Sequence, residues 1–143
     1  MEARQLDLCR YRLEKAKDEL STSELILKNK KFSQSINRSY YSIFHAVRAL
    51  LALEKIDSVK HSGVISRFAL HFVKTGKIER EYSKMLTTAF KIRNDCDYSD
   101  FYVAAYEDAK MQFENASKFI KRIEEYIKSI DISIKDDSNR GER

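Results

Sequence analysis

The residues best suited to chemistry lie together in the run from Ile92 to Asp100. These nine residues include one arginine, one asparagine, one tyrosine and three aspartates. An arginine fork binds phosphate through two parallel hydrogen bonds. A tyrosine can donate to an oxyanion or stack on a base, and Asp97 can orient Arg93 or Tyr98. A phosphodiester or a nucleotide is the ligand that suits all three side chains.

The same residues also have a purely structural interpretation. Arg93 is predicted to lie in the last turn of a helix, where a cation complements the helix dipole and can bond the free carbonyls. Asp97 or Asp100 can cap the helix that follows, and Tyr98 can pack over the corner between the two helices. From the residues alone, both interpretations stay open.

A second polar stripe precedes this run. Arg38, Tyr41, His45 and Arg48 are three or four residues apart, so they share one face of a helix. Such a stripe can form a site. It can equally serve to bond buried polar groups between helices, and the sequence does not separate these roles.

The remaining histidines and the cysteines give weaker signals. His61 and Ser62 stand at the predicted start of a short helix, where free amides can hold an anion, although capping is the alternative. His71 is predicted to pack among apolar residues. No two histidines have the spacing of metal ligands, so neither a metal nor a cofactor is expected. Cys9 and Cys96 are far apart in sequence, which predicts two reduced thiols.

The elements that must position these residues are helices. The chain has 143 residues, no proline and three glycines, and both residue types disrupt helix interiors. A single all-α domain is therefore predicted. Apolar residues recur with the 3.6-residue helical period in five segments, which cover residues 2–29, 33–55, 62–74, 78–94 and 101–129.

The pattern within these segments predicts an antiparallel up-and-down bundle of four long helices plus one short helix. Ser33 and Asp100 are candidate N-caps, and Gly76 is a natural stop for the short helix. The second helix is the most apolar and is predicted to be central. The residues expected to face inward on the fifth helix are Val103, Tyr106, Phe113, Ile120, Ile123 and Ile127.

Charge and the chain ends bound the function further. The net charge is +5, from 27 basic and 22 acidic residues, which permits a polyanionic partner and also fits an ordinary surface of mixed charge. Residues 1–130 are predicted to form the bundle, and residues 131–143 a polar, disordered tail. Because no apolar run approaches ~18 residues, no membrane span is expected, and the cytoplasm is the expected location.

Four stretches together carry a resemblance to a known family. They are Arg38–Leu51, Lys60–Val64, Phe72–Gly76 and Arg93–Tyr98. With these motifs the chain resembles a HEPN domain (higher eukaryotes and prokaryotes nucleotide-binding), over about residues 5–128. More narrowly, it resembles a stand-alone prokaryotic branch that carries Arg-x-x-x-Asp-Tyr.

The resemblance implies a helical bundle that dimerises through the helices bearing the polar motif. Many relatives are metal-independent endoribonucleases, in which an arginine is followed after four to six residues by a histidine. Two copies of this motif meet across the dimer and form one cleft. Several relatives are toxins, encoded beside a minimal nucleotidyltransferase that acts as the antitoxin.

The chain departs from that ribonuclease motif at one position. Arg93 matches the arginine, but the histidine would fall at Tyr98, Ser99 or Asp100. A tyrosine, with a pKa near ~10, is a poor general base at neutral pH. Asp97 and Tyr98 instead match the pair that stands in this branch. Catalysis and binding without catalysis therefore both stay open.

Three hypotheses follow from these observations. The first is a homodimer that binds RNA or a nucleotide in its cleft, as the toxin-like half of a toxin–antitoxin pair. The second is a non-catalytic module that partners a nucleotidyltransferase and helps present its substrate. The third is a structural dimer in which the corner holds only helix caps. For the first, the expected catalytic residues are Arg93, Asp97 and Tyr98, and the expected ligand-binding residues are Arg93, Asn94, Tyr98, His45 and His61.

Overall fold

The predicted all-α fold is confirmed in a computed structural model, which describes the backbone of residues 3–141 and the side chains of residues 3–131. The described residues form five α-helices and one π-helical segment and contain no strand. These elements are α1 (Ala3–Lys28), α2 (Phe32–Leu53), α3 (His61–Phe68), the π-helical segment (Ala69–Val73), α4 (Arg80–Tyr98) and α5 (Tyr106–Gly141).

The four long helices pack as an antiparallel bundle. Cross-helix pairs show the directions, because residue numbers rise on one helix as they fall on its neighbour. These pairs are Arg10 with Asp131 and Lys17 with Glu124 between α1 and α5, Asn37 with Asp97 and Tyr41 with Arg93 between α2 and α4, and Glu79 with Arg122 and Glu81 with Lys118 between α4 and α5.

Helix α2 is the centre of the bundle, as its apolar pattern predicts. It contacts α1, α3, α4 and α5. Its sequence holds no glycine or proline, so nothing interrupts the helix where it passes through the core. Most of its residues are buried, among them Ile36, Tyr40, Ile43, Val47, Leu50 and Leu51.

Serine side chains join α1 to α2 where the two helices approach each other. The Ser23 hydroxyl donates to the Ser35 carbonyl (3.0 Å), and Ser35 returns a hydrogen bond to the Ser23 carbonyl (2.9 Å). The Ser23 and Ser39 hydroxyl oxygens are 2.6 Å apart. All three residues are buried. The small side chains thus let the helices pack closely while each buried hydroxyl keeps a partner.

The short third helix changes its winding midway. The predicted segment 62–74 is α-helical to Phe68 and π-helical from Ala69, where the Lys74 amide donates to the Ala69 carbonyl (2.9 Å), five residues back. Phe68, before this change, and Phe72, within the wider turn, are both buried in the core, as expected. Gly76 follows with φ at 78°, which confirms it as the stop.

The predicted end of the fourth helix is wrong. Helix α4 continues to Tyr98 instead of ending at residue 94. An ion pair between Arg93 and Asp97, four residues apart, spans the expected end, and no glycine or proline interrupts the chain there. Arg93 is therefore not in the last turn, and Asp97 does not cap the next helix.

The proposed caps at three helix starts also need correction. Helix α2 begins at Phe32, so Ser33 lies in its first turn and is not the cap. Helix α5 begins at Tyr106, where the Asp108 carboxylate accepts from the Ala105 amide (3.1 Å), so Asp100 is not a cap either. His61 and Ser62 do stand at the start of α3, but the residue before them is the N-cap, and it makes no side-chain hydrogen bond to the helix.

The late start of α5 changes which of its residues face inward. Residues 99–105 form a connection in which the Tyr102 amide bonds the Ser99 carbonyl (3.3 Å). Val103 is 84% exposed and Tyr106 is also exposed, so the expectation that both face inward is wrong. Further along α5, Ile120, Ile123 and Ile127 are buried as expected.

The far end of the chain leaves one prediction untested. The backbone of α5 continues to Gly141, while the side chains after residue 131 lie outside the described residues. The division into a bundle (1–130) and a polar tail (131–143) thus stays a prediction. Along the part of the chain that the structure covers, no helix has the length and hydropathy of a membrane span.

Truncation of a central side chain tests the position of α2. Ile43 is fully buried, and Ile43→Ala is expected to lower the free energy of unfolding by about 2–4 kcal/mol, because it leaves a cavity. Urea denaturation at one protein concentration measures this. The control Met111→Ala, at an exposed position on α5, is expected to change it by less than ~0.5 kcal/mol. Equal effects of the two substitutions would contradict the described core.

Candidate functional site

Arg93 is held between α4 and α2. Its Nε lies 2.9 Å from an Asp97 carboxylate oxygen, an ion pair without hydrogen-bond alignment. Its Nη2 donates to the Tyr41 hydroxyl (3.1 Å) and its Nη1 to the Asn94 side-chain oxygen (3.2 Å). A guanidinium has five N–H donors. Within the described residues, one N–H on each terminal nitrogen makes no hydrogen bond.

Three tyrosine rings surround this guanidinium. Its central carbon lies 5.6 Å from the ring centroid of Tyr40, 5.3 Å from that of Tyr41 and 5.8 Å from that of Tyr98. These are cation–π distances. The Arg93 side chain is only 12% exposed, whereas Tyr98 is 74% exposed. The group formed by Arg93, Asp97 and these three tyrosines is the arginine cluster.

Asp97 links the cluster to α2 and α1. One of its carboxylate oxygens accepts from the Asn37 side-chain amide (3.3 Å). The Asn37 oxygen in turn accepts from Arg38 Nε (3.1 Å), and Arg38 pairs with Glu19 (2.9 Å). A surface cavity of about 450 Å³, lined in part by Ser33, Asn37, Arg38 and Asp97, opens beside this chain of contacts. The position of Arg93 is therefore fixed by a second layer of polar groups.

His61 joins the cluster through Tyr40. Its Nδ1 is hydrogen-bonded to the Tyr40 hydroxyl, and its ring stacks on Phe44, with centroids 4.7 Å apart. Burial, and then the positive charge of Arg93, lower the pKa of His61. Burial raises the pKa of Tyr40. With the Tyr40 hydroxyl as the donor to Nδ1, a neutral His61 ring carries its proton on Nε2.

His45 lies near the cluster without contacting Arg93. Its ring centroid is 6.2 Å from that of Tyr41. Its pKa is lowered to about 4, first by burial and then by the positive charges of Lys15, Arg48, Arg38 and Arg12. His45 is therefore neutral at physiological pH and surrounded by cations.

The structure thus places the sequence-predicted site residues in two groups. Arg93, Asn94, Asp97 and Tyr98 lie together, and His61 reaches them through Tyr40, whereas His45 stands on the far side of Tyr41 as part of the polar stripe. Sequence reasoning gave neither Tyr40 nor Asn37 a role in the site. A signal was present, because Asn37 and Tyr41 share the four-residue spacing of their partners Asp97 and Arg93.

The cysteines offer no activated nucleophile. Both are free thiols, with Cys9 buried and Cys96 half-buried. Burial raises the pKa of Cys9 to about 12 and raises that of Cys96 as well, so neither is a thiolate at neutral pH. Among the described residues, no group of three or more histidine, cysteine, aspartate or glutamate side chains is arranged to hold a metal ion.

Comparison with known families identifies the fold. The family model described as the HEPN domain matches residues 9–126, a range that contains α2, α3, α4 and the whole arginine cluster. The chain belongs to the HEPN family.

The relatives that this chain resembles carry two kinds of name, UPF0332 protein and putative toxin. A "UPF0332 protein" of Pyrococcus horikoshii is 59% identical over 70 residues, which cover 49% of each chain. The protein named "Putative toxin MJ0605" of Methanocaldococcus jannaschii is 34% identical over 82% of this chain and 87% of its own length. A "UPF0332 protein" of Thermotoga maritima is 34% identical over 84% of this chain and 91% of its own length.

The lowered pKa of His45 predicts acid sensitivity. In the folded state this pKa is about 4, against ~6.5 in the unfolded chain. Between these two pH values the folded state therefore binds fewer protons than the unfolded chain. The contribution of His45 to the free energy of unfolding is unaffected above pH ~6.5 and becomes destabilising as the pH falls towards 4. Allowing for solvent screening, we expect about 1–2 kcal/mol to be lost between pH 7 and pH 5 through this residue.

Urea denaturation of wild type and His45→Gln at both pH values isolates this contribution. The variant is expected to lose less stability than wild type on acidification, because glutamine does not titrate. Parallel losses in the two proteins would show that His45 takes up no extra proton on unfolding.

Proposed function

We propose that this chain binds RNA or a nucleotide at the arginine cluster, as a toxin-like member of the HEPN family. The observation that carries the proposal is the arrangement of Arg93. Its guanidinium is held by Asp97 and Tyr41, and the exposed ring of Tyr98 lies beside it. A fixed cation next to an accessible aromatic ring suits a ligand that has both a phosphate and a base.

The phosphate would be recognised by hydrogen bonds more than by net charge. Asp97 already balances the charge of Arg93, while two N–H groups of its terminal nitrogens make no hydrogen bond to the described residues. Because its neighbours fix the guanidinium in advance, little conformational entropy is lost when a ligand binds. When Tyr40 donates to its Nδ1, His61 can donate one more hydrogen bond from Nε2.

The base would be recognised by the end of α4. Tyr98 is the last residue of this helix, and most of its ring surface is open to solvent. Stacking on such a ring contributes roughly 1–3 kcal/mol per base. Asn94 lies one turn earlier on the same helix and can orient the ligand through its side-chain amide.

The toxin-like role is supported by the relatives and by the family. One relative with long coverage carries the word toxin in its name, and HEPN proteins characteristically act as dimers. We therefore propose a cytoplasmic homodimer in which two arginine clusters face one cleft. A minimal nucleotidyltransferase encoded nearby is the proposed antitoxin partner.

Cleavage of RNA is the enzymatic form of this proposal. The 2′-hydroxyl of the substrate would attack the adjacent phosphorus, the 5′-oxygen would leave, and a 2′,3′-cyclic phosphate would form. One proton leaves the 2′-hydroxyl and one is gained by the 5′-oxygen. Arg93 would stabilise charge on the phosphate, and this route needs no metal ion. Tyr98 stands where a histidine would serve as the base, and the loss of a base typically costs roughly 10²–10⁴-fold in rate.

A binding module without catalysis is the alternative. Tyr98, Ser99 and Asp100 occupy the positions of the histidine in the ribonuclease motif, and this observation favours the alternative. The chain would then supply a surface for the nucleotidyltransferase and help present its substrate. Co-purification of the two proteins supports this form, whereas an active homodimer that works alone contradicts it.

Binding at the cluster can be tested with a fluorescent oligoribonucleotide and anisotropy. Arg93→Lys keeps the charge but removes the fork, and we expect about tenfold weaker binding. Tyr98→Ala is expected to weaken binding by a similar factor and Tyr98→Phe to leave it nearly unchanged, because the ring carries the stacking.

The control is Arg80→Lys. Arg80 is exposed at the other end of the same helix, about 20 Å from Arg93. If wild type, Arg93→Lys and Arg80→Lys bind the oligoribonucleotide equally and unfold alike, the proposed site is wrong. Weaker binding that merely follows a loss of folding, measured by circular dichroism, would assign Arg93 a structural role.

Cleavage has its own test. RNA and the same sequence with 2′-O-methyl groups are incubated with wild type, Arg93→Ala and Tyr98→Phe in the presence of a chelator. We expect any cleavage to need the 2′-hydroxyl and Arg93, so the methylated strand stays intact. Equal background cleavage by all three proteins would contradict the proposal that the chain cleaves RNA, while the proposal that it binds RNA would stand.

A further inference from the structure

We propose that the binding surface continues past the arginine cluster as a track for single-stranded polynucleotide, formed by Arg38, His45 and Arg48 of α2 and by Tyr11, Arg12 and Lys15 of α1. These six residues are the basic track. The proposal rests on the proposed function and narrows it, because a track selects a strand of several nucleotides over a single nucleotide.

Tyr41 connects the basic track to the arginine cluster. The guanidinium carbons of Arg38 and Arg93 lie 5.2 and 5.3 Å from its ring centroid. From Arg38 the polar face of α2 continues through His45 to Arg48, ten residues further on, which is about 15 Å along the helix axis. That length exceeds one nucleotide.

Helix α1 adds cations alongside this face. Arg12 donates to the Arg48 carbonyl (3.1 Å), and both arginines pair with Asp57, at 3.6 and 3.0 Å. Lys15 lies one turn further along α1 and is exposed. Lys15, Arg12, Arg38 and Arg48 lie close enough to His45 for their positive charges to lower its pKa, after the larger effect of burial.

Positive charge remains after these ion pairs are counted. Glu19 pairs with Arg38, Asp57 is shared by Arg12 and Arg48, and Asp97 pairs with Arg93. Three carboxylates thus face four arginines, and Lys15 adds a fifth cation. An excess of positive charge that extends along the helix surface, rather than one isolated cation, fits the regularly spaced phosphates of a strand.

Exposed aromatic rings stand at both ends of the surface. Tyr98 is at the cluster end, and Tyr11 is 62% exposed at the other end, with the Lys15 ammonium 5.7 Å from its ring centroid. Rings beside cations are the stacking platforms of single-strand binding proteins. A duplex hides its base faces, so this arrangement favours an unpaired strand. An acidic peptide would account for the cations but not for the two rings.

The experiment compares three labelled probes by anisotropy: a 15-nucleotide oligouridylate, the same strand annealed to its complement, and fluorescent uridine monophosphate. Lys15→Glu is expected to weaken binding of the oligouridylate about tenfold, because charge reversal removes a phosphate contact. It is expected to change binding of the mononucleotide by less than twofold. Tyr11→Ala is expected to weaken binding of the single strand several-fold, and the duplex is expected to bind several-fold less tightly than the single strand.

Lys121→Glu is the matched control. It makes the same change in net charge at an exposed position of α5, next to the buried Phe119, Ile120 and Ile123 that face the core, and is expected to weaken binding less than twofold. Equal losses in the two glutamate variants, or equal affinity for duplex and single strand, would overturn the track. Loss of oligouridylate binding in Arg93→Lys with none in Lys15→Glu would overturn the track and keep the arginine cluster.

Two further outcomes are decisive. If wild type binds neither the oligouridylate nor the mononucleotide, the proposed function itself fails, and the track fails with it. If wild type instead binds a polyglutamate peptide in a manner that depends on Lys15, but no oligonucleotide, the basic track is the surface for an acidic protein partner. The track is supported if Lys15→Glu weakens binding of the oligouridylate about tenfold more than binding of the mononucleotide, while Lys121→Glu leaves binding of the oligouridylate nearly unchanged.

Discussion

The structure depends on one constraint, which is that α2 is covered by neighbouring helices along most of its surface. A buried polar group without a partner costs about 1–3 kcal/mol. Ser42 finds its partner within α2, at the Ser39 carbonyl (2.7 Å), and other buried hydroxyls of this helix find theirs on neighbouring elements. Ser35 and Ser39 meet Ser23 of α1. Tyr40 meets His61 of α3, and Tyr41 meets Arg93 of α4. The candidate site is therefore assembled from the same contacts that hold the bundle together.

This dependence explains why Arg93 has both a structural and a functional interpretation. The ion pair with Asp97 and the hydrogen bond to Tyr41 stabilise the packing of α4 on α2. The same contacts fix the direction of the remaining N–H groups. A buried and fully paired arginine would be structural only, and a mobile surface arginine would bind phosphate weakly. Arg93 lies between these cases, with a small exposed edge beside the accessible ring of Tyr98.

The sequence predicted the all-α fold, the antiparallel order and the central position of α2, because these follow from the apolar period and the scarcity of glycine and proline. It placed the end of α4 four residues too early, since Asp97 and Asp100 near a predicted corner looked like caps of the next helix. In the structure, Asp97 pairs within the helix and continues it. Helix ends depend on such local competition, which composition does not resolve.

The same limit applied to the candidate site. Arg93, Asp97 and Tyr98 were accessible to sequence reasoning because they lie within six residues of one another. The contribution of Tyr40 was not, because a tyrosine on an apolar face has the pattern of a core residue, and its hydroxyl partner His61 is 21 positions away. Cross-helix partners are fixed by the register between helices, which a single sequence does not contain.

The short connection between α1 and α2 has a consequence for how the surface forms. Only residues 29–31 separate the two helices, and Lys30 turns the chain with φ at 63°. Contacts that are local in sequence form faster than distant ones, and the serine hydrogen bonds join residues only 12 and 16 positions apart. The helical hairpin that carries Lys15 and His45 is thus expected to fold as an early unit. Arg93, which docks from α4 over 52 positions, would complete the surface last.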